Sequence, residues 1–360
     1  MSYFSDQAYY PLLSINPSEM SALGHLPGPD LDRLIPTICL RKWLNSGQLQ
    51  NSFNQIDSAL GDRPLILDLG NTRNPPQGSA ELELAALHDP AGGFANWVDL
   101  IGSDQRFIPT LQWSGDANCL QEFEALAALG KGIVFRFRRT RAWNLPQLMN
   151  MGATIDCTGV PTMCILDFGQ IALGTDLTAA AAEVAAVASA LRQRLVSNDL
   201  TLVIAGSSFP VDFASIHREH ARIPIREREL FSLASAADVF TGTGVSVIYG
   251  DFASVFAGER GFAQRGAPRV DYPSRTRWTY YRREIDQSFA AAANLVTQDI
   301  DWDENLVIWG TNEIRRAAAG DTSGLGYQRA WTAVRIHLHL HQQLNYGGGD
   351  LYENDESWTD

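Results

Sequence analysis

Carboxylate, guanidinium and hydroxyl side chains stand at the ends of several short apolar segments of this 360-residue chain. The segments concerned include LILDLG, VFRFRR, CILDFG, IAGSSFP and VIYGDF. The polar residues in them are Asp68, Arg136, Arg138, Asp167, Ser207, Ser208, Tyr249 and Asp251. Carboxylates can transfer protons or hold Mg²⁺, and arginines bind phosphate or carboxylate groups. The alternative is that each aspartate caps a helix or pairs with an arginine.

The apolar segments are predicted to be strands of a parallel sheet, because they are apolar throughout rather than alternating. The eight predicted strands are Tyr9–Ile15, Leu34–Leu40, Pro64–Leu69, Phe107–Trp113, Gly132–Arg138, Thr162–Phe168, Leu200–Gly206 and Val245–Tyr249. Helices are predicted between them at Ser52–Leu60, Asn118–Leu129, Asp176–Val196 (with Asp176 as N-cap) and Arg228–Ala237. Eight strands without GxGxxG after the first favour a (β/α)8 TIM-barrel-like fold over an open doubly wound sheet. The polar residues would then share the rim where the barrel strands end.

The chain is expected to form a single barrel domain over residues 1–349, including a C-terminal helix within Ala317–Gln343. An acidic tail, residues 350–360, is expected to be frayed. The sequence contains no apolar run of membrane-spanning length, and its first residues do not resemble a signal peptide. The four cysteines are scattered and contain no CxxC pair, so they are expected to be reduced in a cytoplasmic protein.

The net charge of −13 argues against a broad nucleic-acid-binding face but allows a small basic pocket. One segment, Arg269–Arg283, interleaves arginines with aromatic residues, a pattern that can bind nucleic acid by stacking and phosphate contact. In so acidic a chain we expect instead a loop over the barrel mouth, with some of its arginines meeting the carboxylates there.

Two further charged patterns favour structural interpretations. Ile223–Leu230, with the sequence IPIREREL, is interpreted as a solvated helix start, with Glu227 favourable near the positive end of the helix dipole. The run RIHLHLHQQL places His337 and His341 one turn apart, so that they could ligate a metal. Because no acidic residue stands at a matching offset, His337, His339 and His341 are predicted to be buried or half-buried structural histidines.

Several segments, in order along the chain, resemble the phage-type beta-protein family. They are YYPLLSINPSEMSAL, RLIPTICL, AGSSFP, IPIREREL, YGDFAS, the Arg/Tyr/Trp stretch ending at Trp278, and HLHLHQQL. The sequence departs from the family pattern at Phe252, where tyrosine is expected, and at Leu230–Phe231, where tryptophan is usual. The resemblance implies a barrel-like protein of phages, prophages or neighbouring bacterial loci, a context associated with phage–host conflict. It implies no established activity.

The leading functional hypothesis is a barrel whose rim binds or hydrolyses an anionic ligand that bears a phosphate or is nucleotide-like. Asp68, Asp167 and Asp251 would act as acid–base groups or hold Mg²⁺. The ligand-binding residues would be Arg136, Arg138, Ser207, Arg226, Tyr249 and Arg277. If the protein is an enzyme, hydrolysis of a phosphoester is the first reaction to test. The alternatives are a non-catalytic protein-interaction factor and nucleic-acid binding through residues 269–283, and the oligomeric state stays open.

Overall fold

Eight parallel strands lie side by side in the computed structural model of the chain. The structure describes residues 4, 6–70, 75–112, 118–139, 143–144, 146, 149, 159–193, 200–210, 219–241, 245–257, 267–282 and 288–347. The strands are β1 Tyr10–Ser14, β2 Thr37–Leu40, β3 Leu65–Leu69, β4 Phe107–Pro109, β5 Ile133–Arg138, β6 Thr162–Gln170, β7 Leu200–Ser207, β8 His220–Pro224, β9 Val245–Asp251, β10 Arg269–Pro273 and β11 Arg277–Arg282. Eight of them form one sheet, and β8, β10 and β11 form another.

The eight-stranded sheet has the order β4-β3-β2-β1-β9-β7-β6-β5 and is parallel throughout. A parallel bridge between Thr110 and Val134 brings its two outer strands together. There the Leu111 amide donates to the Val134 carbonyl at 2.9 Å. The predicted (β/α) barrel is therefore confirmed, and each of its eight strands overlaps a predicted segment.

Most helices connect the barrel strands and cover their outer face, and the last three follow β9, the final barrel strand. The helices are α1 Pro17–Gly24, α2 Gly28–Leu31, α3 Gln50–Leu60, α4 Ser79–Leu87, α5 Ala91–Gly102, α6 Asn118–Ala128, α7 Leu177–Arg192, α8 Arg226–Ser235, α9 Phe289–Val296, α10 Trp309–Ala318 and α11 Gln328–Leu344. Asp176 caps α7, as predicted, by accepting a hydrogen bond from the Ala179 amide at 3.0 Å. The predicted acidic tail, residues 350–360, lies outside the described residues.

Side chains on opposite faces of the barrel strands pack into two different apolar layers. Ile66, Val134 and Ile248 belong to the cluster that fills the barrel interior. Leu67 and Tyr249 belong to the larger cluster between the barrel and its helices. Because side chains alternate along a strand, this assignment shows on which side of the barrel wall every neighbouring polar residue lies.

The segment predicted as a loop over the barrel mouth, Arg269–Arg283, contains two antiparallel strands, so that prediction was wrong. β10 and β11 form a hairpin, and β8 pairs with the other edge of β11. Tyr272 packs with the terminal helices on one side of this sheet, whereas Trp278 and Tyr280 pack with Phe209 in a separate cluster. The sheet is thus buried on both faces, and its aromatic residues fill apolar clusters.

Helix α11 lies between the barrel and the smaller sheet. Arg335, His337 and His339 are each at most 1% exposed, although all three are polar. Their partners come from different parts of the fold: Arg335 pairs with Asp271 of β10, and His339 with Asp251 of β9. The predicted C-terminal helix is therefore present, and buried polar contacts fix its position.

Within the described part of the chain, no helix is long and apolar enough to cross a membrane. Cys39 and Cys164 are buried free thiols, in agreement with the predicted reduced cysteines. Cys157 and the side chain of Cys119 lie outside the described residues.

Candidate functional site

Arg136 joins two aspartates at the carboxyl ends of β3 and β6, two barrel strands that are separated by β4 and β5. Its Nη1 donates to Asp68 Oδ2 at 2.6 Å, while its Nε and Nη2 donate to Asp167 Oδ2 at 3.0 and 2.7 Å. The three side chains are each at most 9% exposed. Asp68, Arg136 and Asp167 come from β3, β5 and β6, so the structure brings together three of the predicted site residues inside the barrel mouth.

Backbone and hydroxyl donors occupy the remaining oxygens of the two carboxylates. Thr110 Oγ1 and the Leu69 amide donate to Asp68 Oδ1 at 2.8 and 3.0 Å. The Gly169 amide donates to Asp167 Oδ1 at 2.8 Å. Burial by itself would raise the pKa of Asp68, but Arg136 and Arg138 hold it below its usual value. Asp68 is therefore an ionised and fully hydrogen-bonded group.

Arg138 lies closer to solvent at the same rim. Its side chain is 49% exposed, with Nη2 3.6 Å from Asp68 Oδ2 and Nε 3.9 Å from Asp167 Oδ2. Within the described residues its guanidinium makes no hydrogen bond. These distances exceed those of hydrogen bonds, so the carboxylates hold Arg138 only weakly. Both carboxylates are instead bound at hydrogen-bonding distance by Arg136. Arg138 is the predicted ligand-binding residue whose donors are available.

A third arginine at the rim, Arg41, was missed in the sequence. It directly follows β2, is exposed, and forms no side-chain hydrogen bond or ion pair within the described part of the chain. Burial and Asp68 raise the pKa of the Cys39 thiol, while Arg136, Arg41 and Arg138 lower it. Because Ile38 and Leu40 pack in the cluster outside the barrel, the alternation along the chain puts Cys39 and Arg41 on the inner side of the wall. The signal was present, since Arg41 ends the apolar segment TICL as Arg138 ends VFRF.

An aromatic ring completes this part of the rim. Phe252 follows β9, packs against the interior barrel cluster and is partly exposed. The Arg136 guanidinium carbon lies 5.8 Å from its ring centroid, within the range of a cation–π contact. Beside the three arginines, the mouth thus contains an apolar planar surface.

Ser207 and Arg226 lie near the rim with their polar groups in use. Ser207 Oγ donates to the Val255 carbonyl at 2.7 Å. Arg226 Nη1 and Nη2 donate to the Ala172 and Thr175 carbonyls at 3.1 and 2.7 Å. Ser207 therefore stabilises the connection that follows β9, and Arg226 stabilises the connection that follows β6.

Asp251 and Tyr249 belong to a separate cluster on the outer side of the barrel wall. Tyr249 and His339 Nε2 each bond Asp251 Oδ2 at 2.7 Å, and Tyr9 donates to Asp251 Oδ1. Burial would raise the pKa of Asp251, but His339 and the tyrosine hydroxyls keep it below its usual value. Asp251 thus carries a buried charge facing α11, whereas Asp68 and Asp167 face the barrel interior.

Glu227, at the start of α8, is also buried beside this outer cluster. The interpretation of IPIREREL as a solvated helix start was wrong, since Glu227 and Arg228 are only 3% and 6% exposed. Glu227 Oε2 accepts hydrogen bonds from the amide and hydroxyl of Ser208. Burial, followed by the charge of Asp251, raises the pKa of Glu227 to about 8. The tertiary packing of α8 overrides the exposed position that its charges suggested.

Arg277 lies on the smaller sheet and pairs with Asp301, as does Arg222. The expectation that arginines of residues 269–283 meet the barrel carboxylates is therefore not met at Arg277. Trp278 and Tyr280 are at most 1% exposed. Their rings are covered by protein and offer no stacking surface to a nucleic acid.

The histidines of α11 make structural contacts, as predicted. Burial lowers the pKa of His337 to about 3, and its Nε2 lies 3.2 Å from the His25 carbonyl. His341 Nδ1 lies 2.6 Å from Asp30 Oδ2 at the half-exposed end of the helix. Among the residues that the structure describes, no group of three His, Cys, Asp or Glu side chains is arranged to hold a metal ion.

The fold and this site define the protein as an eight-stranded (β/α) barrel with an arginine-lined mouth and a second, antiparallel sheet. The chain belongs to the Beta protein family, whose profile matches residues 9–345. Protein beta of Enterobacteria phage P4 is 27% identical over 370 residues, which cover 99% of each chain. The predicted phage-type family is thereby confirmed.

Solved structures with similarity to the chain include pyruvate carboxylase from Rhizobium etli. Its carboxyl transferase domain with 3-hydroxypyruvate is 12% identical, with a TM-score of 0.38 over 93% of this chain and 49% of that one. The complete multifunctional enzyme is 11% identical, with a TM-score of 0.37 over 96% of this chain and 27% of that one. This chain thus spans about half of the domain structure's length and about a quarter of the complete enzyme's.

Proposed function

We propose that the barrel mouth binds a small phosphate-bearing anion through Arg138 and Arg41. The observation that carries this proposal is the state of Arg138, which is 49% exposed and whose guanidinium donates no hydrogen bond within the described residues. A guanidinium presents several N–H donors in a planar fork that matches phosphate oxygens. Arg136, which two aspartates hold in place, adds a buried positive charge next to the Arg138 guanidinium.

The local charge of the mouth supports an anionic ligand. Among the residues that the structure describes, Arg41, Arg136 and Arg138 outnumber the two carboxylates Asp68 and Asp167, which leaves a local charge of about +1 in a chain of net charge −13. A local excess of positive charge in a concave site attracts anions even when the whole protein is acidic. This balance favours a phosphate group over a neutral or cationic ligand.

Binding fits the geometry better than phosphoester hydrolysis. All four carboxylate oxygens of Asp68 and Asp167 already accept hydrogen bonds, which come from Arg136, Thr110 and the Gly169 amide. A general base needs an oxygen that can take up a proton from the reacting group. These aspartates are better suited to hold Arg136 in place.

The proposal is tested by calorimetric titration with ribose 5-phosphate. Loss of a charge-assisted hydrogen bond costs about 1.5–3 kcal/mol, so Arg138→Gln is expected to weaken binding by roughly ten-fold or more. Arg139→Gln is the matched control, because this neighbouring arginine pairs with Glu183 instead. The control should bind as the wild type does.

Two results would overturn the proposal. One is the absence of ribose 5-phosphate binding by the wild type, and the other is an equal loss in both variants. If a stoichiometric protein partner copurifies and Arg138→Gln leaves that complex intact, the protein-interaction alternative is favoured instead.

A further inference from the structure

The turn that follows β9 holds two non-glycine residues in the left-handed region of backbone conformation. Ala253 has φ 48° and Ser254 has φ 62°. Both are at most 1% exposed. Residues with a Cβ atom rarely adopt this conformation, and two in succession require support from the surrounding structure.

Three hydrogen bonds of 2.7 Å supply that support. The Ala253 amide donates to Asp251 Oδ1 of β9. Trp278 Nε1 of the smaller sheet donates to Ser254 Oγ, and Ser207 Oγ of β7 donates to the Val255 carbonyl. Three separate strands therefore fix one short turn at the rim of the barrel.

What this turn positions is the ring of Phe252. Ile248, Gly250 and Phe252 alternate along the chain, and Ile248 and Phe252 both pack with the interior cluster. The ring therefore lies on the inner side of the wall, partly exposed, with the Arg136 guanidinium carbon 5.8 Å from its centroid. Arg136 also shares both of its aspartates with Arg138. A planar apolar surface thus stands next to the proposed phosphate site.

We infer that Phe252 stacks against a planar ring of the ligand, so that the mouth selects nucleoside monophosphates over sugar phosphates. This inference rests on the proposed function and names the ligand class of the same site. Aromatic side chains bind nucleobases through their ring faces, and a phosphate one sugar away from the base would reach Arg138 and Arg41. The hydrogen bonds of the turn hold the Phe252 ring in place before the ligand binds, which reduces the entropic cost of binding.

The test compares adenosine 5′-monophosphate with ribose 5-phosphate by calorimetry. The wild type is expected to bind the nucleotide at least about five-fold more tightly, because stacking of one base on an aromatic ring adds at least that factor to the affinity. Phe252→Leu should abolish this preference by lowering the affinity for the nucleotide towards that for ribose 5-phosphate, whereas Phe252→Trp should retain it. Phe231→Leu is the control, because Phe231 is a partly buried ring that packs on Tyr249 outside the barrel.

The outcomes separate this inference from the proposed function. Equal binding of both ligands by the wild type, with both lost in Arg138→Gln, would overturn the inference and leave phosphate binding intact. If Phe252→Leu weakens both ligands equally, Phe252 supports Arg136 and does not stack on the ligand, which also overturns it. An equal loss of preference in Phe231→Leu would also overturn the inference, because the preference would then not depend on stacking at Phe252. No binding of either ligand by the wild type would overturn both proposals.

Discussion

Glu122 and Glu227 are buried carboxyl groups that each hold the backbone just beyond the end of a barrel strand. The Gln112 amide donates to Glu122 Oε1 at 2.7 Å, and the Ser208 amide donates to Glu227 Oε2 at 2.9 Å. In each residue the second carboxyl oxygen is buried without a hydrogen-bond partner among the described residues. Burial raises the pKa of both groups to about 8, so both are largely protonated at neutral pH.

These raised pKa values predict a stability that falls with rising pH. The unfolded chain releases both protons near the ordinary glutamate pKa of 4.5, whereas the folded protein retains them until about pH 8. Their stabilising contribution is therefore complete below pH 4.5 and is lost as the pH rises through 8. We expect the free energy of unfolding, measured in urea between pH 5 and 8, to decrease less in a Glu122→Gln/Glu227→Gln variant than in the wild type.

The control replaces Glu124 and Glu229, which lie on the exposed faces of the same two helices. Glu124→Gln/Glu229→Gln should keep the wild-type pH dependence. Identical pH profiles for the buried and exposed double variants would contradict the raised pKa values.

The positions of individual candidate residues were predictable where a strand end fixes them. Asp68, Arg136 and Asp167 were grouped correctly, because the carboxyl ends of parallel barrel strands meet at one rim. Asp251 was grouped with them, yet it lies on the other side of the wall. Its strand is apolar on both faces, so the sequence gives no alternation from which to tell inside from outside.

At the scale of elements, the smaller sheet depends on acidic residues that follow α9. Asp301 accepts hydrogen bonds from Arg277 Nε at 2.9 Å, Arg222 Nε at 3.0 Å and Thr279 Oγ1 at 2.6 Å. Asp299 binds the outer nitrogen of Arg222. These contacts join β8 and β11 to the connection between α9 and α10. Arg277, one of the arginines that suggested a binding loop, is therefore the partner of an aspartate.

Asp301→Asn is expected to lower the free energy of unfolding by about 2 kcal/mol, because it weakens hydrogen bonds to charged groups. Burial would raise the pKa of Asp301, but Arg277, Thr279 and Arg222 lower it to about 2. Its contribution is therefore present above the ordinary aspartate pKa and is lost as the pH falls towards 2. Urea unfolding at pH 7 and at about pH 3, between the two pKa values, should show a smaller difference between variant and wild type at the lower pH.

Asp32→Asn serves as the comparison, because Asp32 pairs with Arg63 at 2.7 Å but is 62% exposed. Exposed pairs contribute little, so this variant should cost under about 1 kcal/mol. Equal losses in the two variants would show that the Asp301 network does not stabilise the sheet.

The barrel strands could be predicted and the smaller sheet could not, for a physical reason. A barrel strand such as LILDL is continuously apolar and contrasts with the polar helix surfaces around it. The strands RVDYP and RWTYYR mix arginine with aromatic residues, and their partners are aspartates: Arg269 pairs with Asp271, Arg277 pairs with Asp301, and Tyr281 donates to Asp299. Two of these aspartates are supplied from some twenty residues further on in the chain, so no local pattern reveals the pairing.

At the scale of the whole molecule, α11 joins the apolar clusters of the barrel and the smaller sheet. Ile336 and Leu340 pack in the barrel–helix cluster. Val334 and Leu338 pack in the cluster of the smaller sheet and α9–α10. Residues two apart point to opposite sides of a helix, and α11 is apolar on both sides accordingly. Neither part of the protein can lose this helix without exposing its own core.

We therefore expect the protein to unfold in one cooperative transition. Ile336→Ala and Leu338→Ala each remove buried apolar volume on opposite sides of α11, and each should lower the free energy of unfolding by about 2–5 kcal/mol. In both variants, far-UV circular dichroism and tryptophan fluorescence should give the same urea midpoint, because loss of either cluster releases the shared helix. Arg329→Ala, on an exposed position of the same helix, should leave that midpoint unchanged. A second transition in Leu338→Ala, or midpoints that differ between the two probes, would show that the smaller sheet unfolds independently of the barrel.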